Sequence, residues 1–198
     1  MVRAASVRQA CEAVVLGASA GGVEAMLSVF GYLPAAFGLP IVAVLHLPEN
    51  QPSQLASVFE RRLRRPVQEA QDKAPLEPGM IYVAGPGYHL SIERDRSFSL
   101  SQEPRVHFSR PSIDILFESA ADAYGAGLVG VLMTGASQDG ASGLSRIAQA
   151  GGLTVVQDPA EARISTMPQA ALSLFRPDHV LTLDRIGSLL AGLEAGEC

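Results

Sequence analysis

Six short apolar runs rich in Val, Ile and Leu, at residues 13–16, 41–45, 81–84, 128–133, 153–156 and 180–183, restrict the fold more than any other feature of the chain. Each has the length and the predominantly apolar character of a strand covered on both faces. Between most of them lie segments of helical periodicity, at 22–32, 52–63, 112–124, 141–150, 168–174 and 185–193. Alternation of this kind favours parallel pairing, because a parallel neighbour is reached only through a crossover, and the crossover helices then cover the sheet. The pattern predicts an α/β fold, with a doubly wound, mainly parallel sheet in a three-layer α/β/α arrangement. One stretch departs from it: 88–92 and 97–101 are joined by Glu93-Arg94-Asp95-Arg96 with no helix between them. That predicts an antiparallel edge hairpin. Residues 101–111 carry two prolines and no periodicity, and read as an ordered loop or lid. Ser112 then supplies an N-cap and Asp114 a first-turn acid for the helix that follows.

Length and charge remove several function classes. A chain of 198 residues can bury one sizeable core, and without a linker or internal repeat it reads as a single domain, 1–198. The net charge is −5, and the one dense basic run, Arg61, Arg62, Arg64 and Arg65, sits at a helix end. There it complements the helix dipole, or docks an acidic protein surface, and nucleic acid is not an expected partner. No signal peptide or apolar stretch of spanning length precedes the first strand, so the expectation is a cytoplasmic protein that is not membrane-embedded, with Cys11 and Cys198 as free thiols. His46, His89, His107 and His179 are far apart and lack paired thiols, so neither a metal nor a cofactor is expected.

The strongest local signal is Gly17-Ala18-Ser19-Ala20-Gly21-Gly22, which contains G-x-S-x-G between a strand and a helix. Its glycines allow a sharp turn that lifts a serine hydroxyl from the carboxyl edge of the sheet, and the helix start offers unpaired N–H groups, Ala20 foremost, to a developing oxyanion. The same turn could instead cradle a phosphate, with Ser19 as a cap. Against that, the G-x-G-x-x-G spacing is incomplete, no Lys-Ser/Thr ending follows, and His46 lies at the end of the next strand. A parallel neighbour brings that imidazole to the same edge, where it can act as a base for Ser19. The third member is then a carboxylate at another strand end. Asp139, in Thr134-Gly135-Ala136-Ser137-Gln138-Asp139-Gly140, fits, and its competing role is to N-cap the helix beginning near Ala141. Asp114, Asp158 and Asp178 are weaker rivals. His179 reads as the opening of a strand, since too few residues precede the elbow for the Ser, Asp, His order of an α/β-hydrolase.

In order along residues 13–183 the chain shows Gly17-Ala18-Ser19-Ala20-Gly21-Gly22, His46-Leu47-Pro48, Pro78-Gly79 through Ile81-Tyr82-Val83-Ala84, Arg110-Pro111-Ser112-Ile113-Asp114-Ile115-Leu116-Phe117, Thr134-Gly135 with Asp139-Gly140, and Met167-Pro168. With these six motifs in register it resembles the catalytic domain of the chemotaxis protein-glutamate methylesterases, the CheB family. The resemblance implies a serine hydrolase that demethylates γ-glutamyl methyl esters on the helical region of chemoreceptors, releasing methanol, with deamidation of glutamines in many members. It also implies Ser19 as nucleophile, His46 as general base and Asp139 as orienting carboxylate, with attack on the ester carbonyl, protonation of methanol by His46 and hydrolysis of the acyl-enzyme. The alternative is a catalytically weak adaptor of the same fold. The expected partner is a methylated chemoreceptor, with a separate regulator or methyltransferase as a further candidate. Arg110 and Met167 are candidate substrate-binding residues, Arg110 because a bidentate cation suits a glutamate-rich helix and otherwise as an internal ion pair. Family members commonly have Thr-Gly-Met-Gly where this chain has Thr134-Gly135-Ala136-Ser137. A backbone N–H at Ala136 can still serve an oxyanion hole, since a main-chain donor does not depend on the side chain. Members usually carry a receiver domain before the catalytic one. None is read before residue 13, so the expectation is a stand-alone or partner-regulated enzyme, or a fragment, that does not respond to phosphoryl donors.

Overall fold

The computed structural model describes residues 10–46 and 53–193. Leu47, Pro48, Pro52 and Cys198, which entered the sequence reading, lie outside them. In chain order the elements are β1 (Ala13–Ala18), α1 (Gly22–Phe30), β2 (Ile41–Leu45), α2 (Leu55–Leu63), β3 (Val67–Glu69), β4 (Ile81–Val83), β5 (His89–Ile92), β6 (Phe98–Ser101), α3 (Ile113–Tyr124), β7 (Leu128–Leu132), α4 (Ala141–Gln149), β8 (Leu153–Gln157), α5 (Thr166–Leu174), β9 (His179–Leu181) and α6 (Leu183–Gly192). Seven strands form one parallel sheet in the order β3-β4-β2-β1-β7-β8-β9.

Alternation along the strands separates two cores. On one face Val14, Leu16 and Ala18 of β1 meet Met26, Phe30, Phe59 and Ile186 from α1, α2 and α6. On the other, Ala13 and Val15 meet Ile113, Leu116, Leu144 and Met167 from α3, α4 and α5. This is the three-layer α/β/α arrangement the sequence pattern predicts, and every predicted strand and helix is present with ends within a few residues. Both faces are covered, which is why the strands read as continuous apolar runs.

Two details differ. The hairpin β5–β6 does not extend an edge of the main sheet; it is a separate two-stranded sheet whose Leu90, Ile92 and Phe98 pack in the same cluster as α3. Its apolar residues thus find cover on a helix, and no edge pairing is needed. The short edge strand β3 was not anticipated, because Val67-Gln68-Glu69 has a single buried residue and leaves almost no pattern to read. Cys11 is disulfide-bonded, which corrects the free-thiol expectation.

From β1 the chain crosses to β2 on one side and returns much later to β7 on the other. The direction of winding reverses at β1, and the crevice outside the carboxyl ends of these strands is where open α/β sheets place ligands.

Candidate active site

Ser19, His46 and the loop leading to Asp139 lie at the carboxyl ends of β1, β2 and β7. Ala18 is in register with Leu45, so Ser19 and His46 leave the sheet side by side. The elbow is built locally. Ser19 N–H donates to Thr134 O (2.9 Å), Gly21 takes φ 83° as the N-cap of α1, and the Thr134 hydroxyl donates to Ala20 O (2.9 Å). Gly21 is the residue for that left-handed turn, and a side chain there would collide with the stem of Arg163, which lies over it. Among the described residues the N–H groups of Ala20 and Ala136 have no hydrogen-bond acceptor. They lie in the loops that follow β1 and β7, one on each side of the crevice.

His46 is held at both ring nitrogens. Nε2 lies 2.8 Å from Asp139 Oδ2, and Nδ1 lies 3.3 Å from Ser109 Oγ. A carboxylate only accepts, so the neutral imidazole carries its hydrogen on Nε2 and presents the Nδ1 lone pair, to which Ser109 donates. Nδ1 is therefore the basic atom. The Ser19 hydroxyl makes no hydrogen bond among the described residues, so Ser19 and His46 leave adjacent strands without being joined.

Asp139 is fully buried and accepts from three further donors, Ser112 Oγ (2.8 Å), Ile113 N–H (2.7 Å) and Asp114 N–H (3.0 Å). Burial pushes its carboxyl upward, but these donors and His46 outweigh it and hold the group below the usual carboxylate range. The capping role open to Asp139 in the sequence is filled differently. Gly140 is the N-cap of α4 with φ 93° and no side-chain cap, while Asp139 reaches across to the first N–H groups of α3. Asp114 of α3 returns the contact, accepting from Gly140 N–H (2.9 Å) and Gly143 N–H (2.7 Å) at the start of α4. The two helices exchange caps, and each carboxylate sits at a positive helix end. Burial drives Asp114 up to about 6; the Gly143 N–H opposes this, the charge of Asp139 adds to it, and His107, 3.5 Å away, opposes it.

Sequence reasoning did not find Ser109 or His107, nor the cross-capping role of Ser112 and Asp114. Their signal was the unpatterned loop itself, which ends on the Arg110-Pro111-Ser112 block. Residues 106–109 form a tight two-residue turn closed by reciprocal Val106 and Ser109 backbone bonds. Buried His89 braces the loop, accepting from Ser112 N–H at Nδ1 (3.2 Å) and donating from Nε2 to Pro104 O (3.1 Å).

The two substrate-binding candidates are placed differently from Ser19, His46 and Asp139. Arg110 Nη1 donates to the carbonyls of Gln102 and Glu103, both at 3.1 Å, so it ties its own loop together. Met167 is fully buried in α5; its N–H donates to Gly135 O (3.0 Å) and its thioether lies where a Gly135 side chain would be. It backs the Gly135 peptide from behind and has no surface to offer a substrate. An open groove of about 440 Å³ flanks the site, lined in part by His107, Gln138, Ala141, Ala170 and Leu174. No group of three or more His, Cys, Asp or Glu among the described residues could hold a metal ion, and no described helix is long and apolar enough to cross a membrane.

The chain is similar to several known proteins. Residues 14–190 match the family model described as CheB methylesterase. A Leptospira interrogans protein, provisionally named protein-glutamate methylesterase/protein-glutamine glutaminase, is 46% identical over 183 residues, covering 92% of this chain and 95% of that protein. Protein-glutamate methylesterase/protein-glutamine glutaminase 3 of Pseudomonas aeruginosa is 38% identical over 178 residues, and this chain spans 53% of its length. The crystal structure of the Thermotoga maritima CheB methylesterase catalytic domain superposes with a TM-score of 0.87 at 28% identity, covering 93% of this chain and 99% of that one.

Proposed function

The chain belongs to the CheB methylesterase family, and from that premise we propose that it hydrolyses γ-glutamyl methyl esters on chemoreceptors in the cytoplasm, and deamidates glutamines by the same steps, with Ser19, His46 and Asp139 as its triad. The observation that carries the reading is the buried Asp139 carboxylate on His46 Nε2, which leaves Nδ1 basic at the strand end beside Ser19.

In this mechanism Ser19 Oγ attacks the ester carbonyl as its proton passes to His46 Nδ1. The oxyanion that forms is met by the N–H groups of Ala20 and Ala136, which is why replacement of the family's Met-Gly by Ala136 and Ser137 is compatible with turnover. The imidazolium is stabilised by Asp139, whose four hydrogen bonds keep it ionised. As the intermediate collapses and the bond from the carbonyl carbon to the leaving group breaks, His46 gives the proton to the departing methoxy oxygen, which leaves as methanol, or to the amide nitrogen of a glutamine, which leaves as ammonia. Water then repeats the sequence on the acyl-enzyme, with His46 again as base.

The test is release of methanol from a methylated receptor set. Wild type is expected to release it and Ser19→Ala not to; absence of methanol from wild type across cognate receptors would leave a binding module of the same fold.

A further inference from the structure

Phe108 is 97% exposed, the most exposed of the large apolar side chains among the described residues. It occupies the second central position of the 106–109 turn, where His107 and Phe108 take φ 48° and 64°. Both are left-handed values that a two-residue hairpin ordinarily gives to Asn and Gly, and that a bulky side chain adopts only under strain. Folding gains nothing visible from the ring, which buries almost none of its surface. The turn around it is nevertheless fixed at both ends. His107 contacts Asp114 at 3.5 Å and Gln138 at 3.3 Å, and Ser109 meets His46 Nδ1 at 3.3 Å. A strained, well-anchored turn thus holds a bare aromatic one residue from the contact to the base.

We propose that Phe108 is a specificity-determining residue, the aromatic anchor on which the apolar side of a protein substrate's helix rests while its esterified glutamate reaches Ser19. The inference depends on the proposed methylesterase reading. An amphipathic helix is the fitting occupant because the adjoining groove is open and mixes the apolar Ala141, Ala170 and Leu174 with the polar Gln138, Ser142 and Ser173, beside His107. The apolar members take a helix ridge, and the amide and hydroxyls beside them can bond the polar flank of the same helix. Aromatic rings presented rigidly are also the side chains from which protein contacts draw most.

The experiment compares wild type, Phe108→Gly and Phe108→Tyr on a methylated receptor and on a small activated ester. Glycine removes the ring and is at ease in the left-handed turn, so the melting temperature should hold or rise. Methanol release from the receptor by Phe108→Gly should fall about tenfold or more in kcat/KM, through KM, while the small ester changes by less than about twofold. Phe108→Tyr should restore most of the receptor activity. Equal behaviour of wild type and Phe108→Gly on the receptor overturns the proposal, as does a parallel loss on both substrates, which would mean the ring supports the site or binds small ligands. A concentration-dependent dimer of wild type that Phe108→Gly abolishes would assign the ring to a second copy and also overturn it. If wild type cleaves the small ester but releases no methanol from receptors, the methylesterase reading fails first, and this inference with it.

Discussion

Asp139 is held below the usual carboxylate range against its burial because four donors converge on it, and the proposed roles of Ser19 and His46 depend on that. Ser19→Ala and His46→Gln are expected to lower turnover of an activated ester by roughly 10⁴-fold or more, and Asp139→Asn somewhat less, with circular dichroism unchanged. A near-wild-type rate for Ser19→Ala would remove it as nucleophile. Ser112 is expected to matter without touching substrate. Ser112→Ala takes one charge-assisted bond from Asp139 and leaves a buried carboxylate underserved, which should destabilise the fold by about 1.5–3 kcal/mol in denaturant titrations. For Arg110 the two carbonyl contacts make Arg110→Ala an expected loss of melting temperature with similar losses on receptor and small ester. A loss confined to the receptor would instead support direct recognition.

At the scale of elements the exchanged caps of α3 and α4 set a pH dependence. Asp114 has its folded value raised to about 6, so its protonated form is favoured in the native state. Its contribution is fully present below pH ~4 and is lost as pH rises from there through about 6. Asp139 runs the opposite way: its depressed value gives stability that is present above the usual carboxylate range and lost as acid titrates the folded group. Asp114→Asn keeps an oxygen for Gly140 and Gly143 but cannot titrate. Unfolding free energies of the two proteins, measured from pH 4 to 7, should diverge, with wild type losing ground to the variant as pH rises. Parallel curves would mean that Asp114 does not titrate in this window. The junction also depends on close approach. A side chain at Gly17 would come within 2.3 Å of Ile113 Cγ2, so Gly17→Ala should push the start of α3 off β1 and destabilise by about 1–3 kcal/mol. Because that start carries the N–H groups on Asp139, ester turnover should fall as well.

Over the whole molecule, the reversal of winding at β1 gathers loops from distant parts of the sequence onto one edge. Ser19 and Asp139 are 120 positions apart in the chain, yet Thr134 stitches their loops through its bonds with Ser19, Ala20 and Ile164. The chain spans nearly all of the Leptospira relative and about half of the Pseudomonas one.

Alternating apolar runs were enough to specify the parallel sheet and its two helical layers, because a strand covered on both faces has no polar side to confuse its pattern. The elbow at Ser19 and a histidine one strand away were equally legible, since glycine positions and strand ends are local. Tertiary structure alone decided that Asp139 caps α3 and not its own helix, that Ser109 meets the base, and that Met167 lies behind Gly135. It also decided that the hairpin leaves the main sheet for α3, and that Cys11 is oxidised. Each of these depends on which distant backbone groups or side chains come within about 3 Å of one another, and sequence spacing carries no record of that once the chain has crossed between layers.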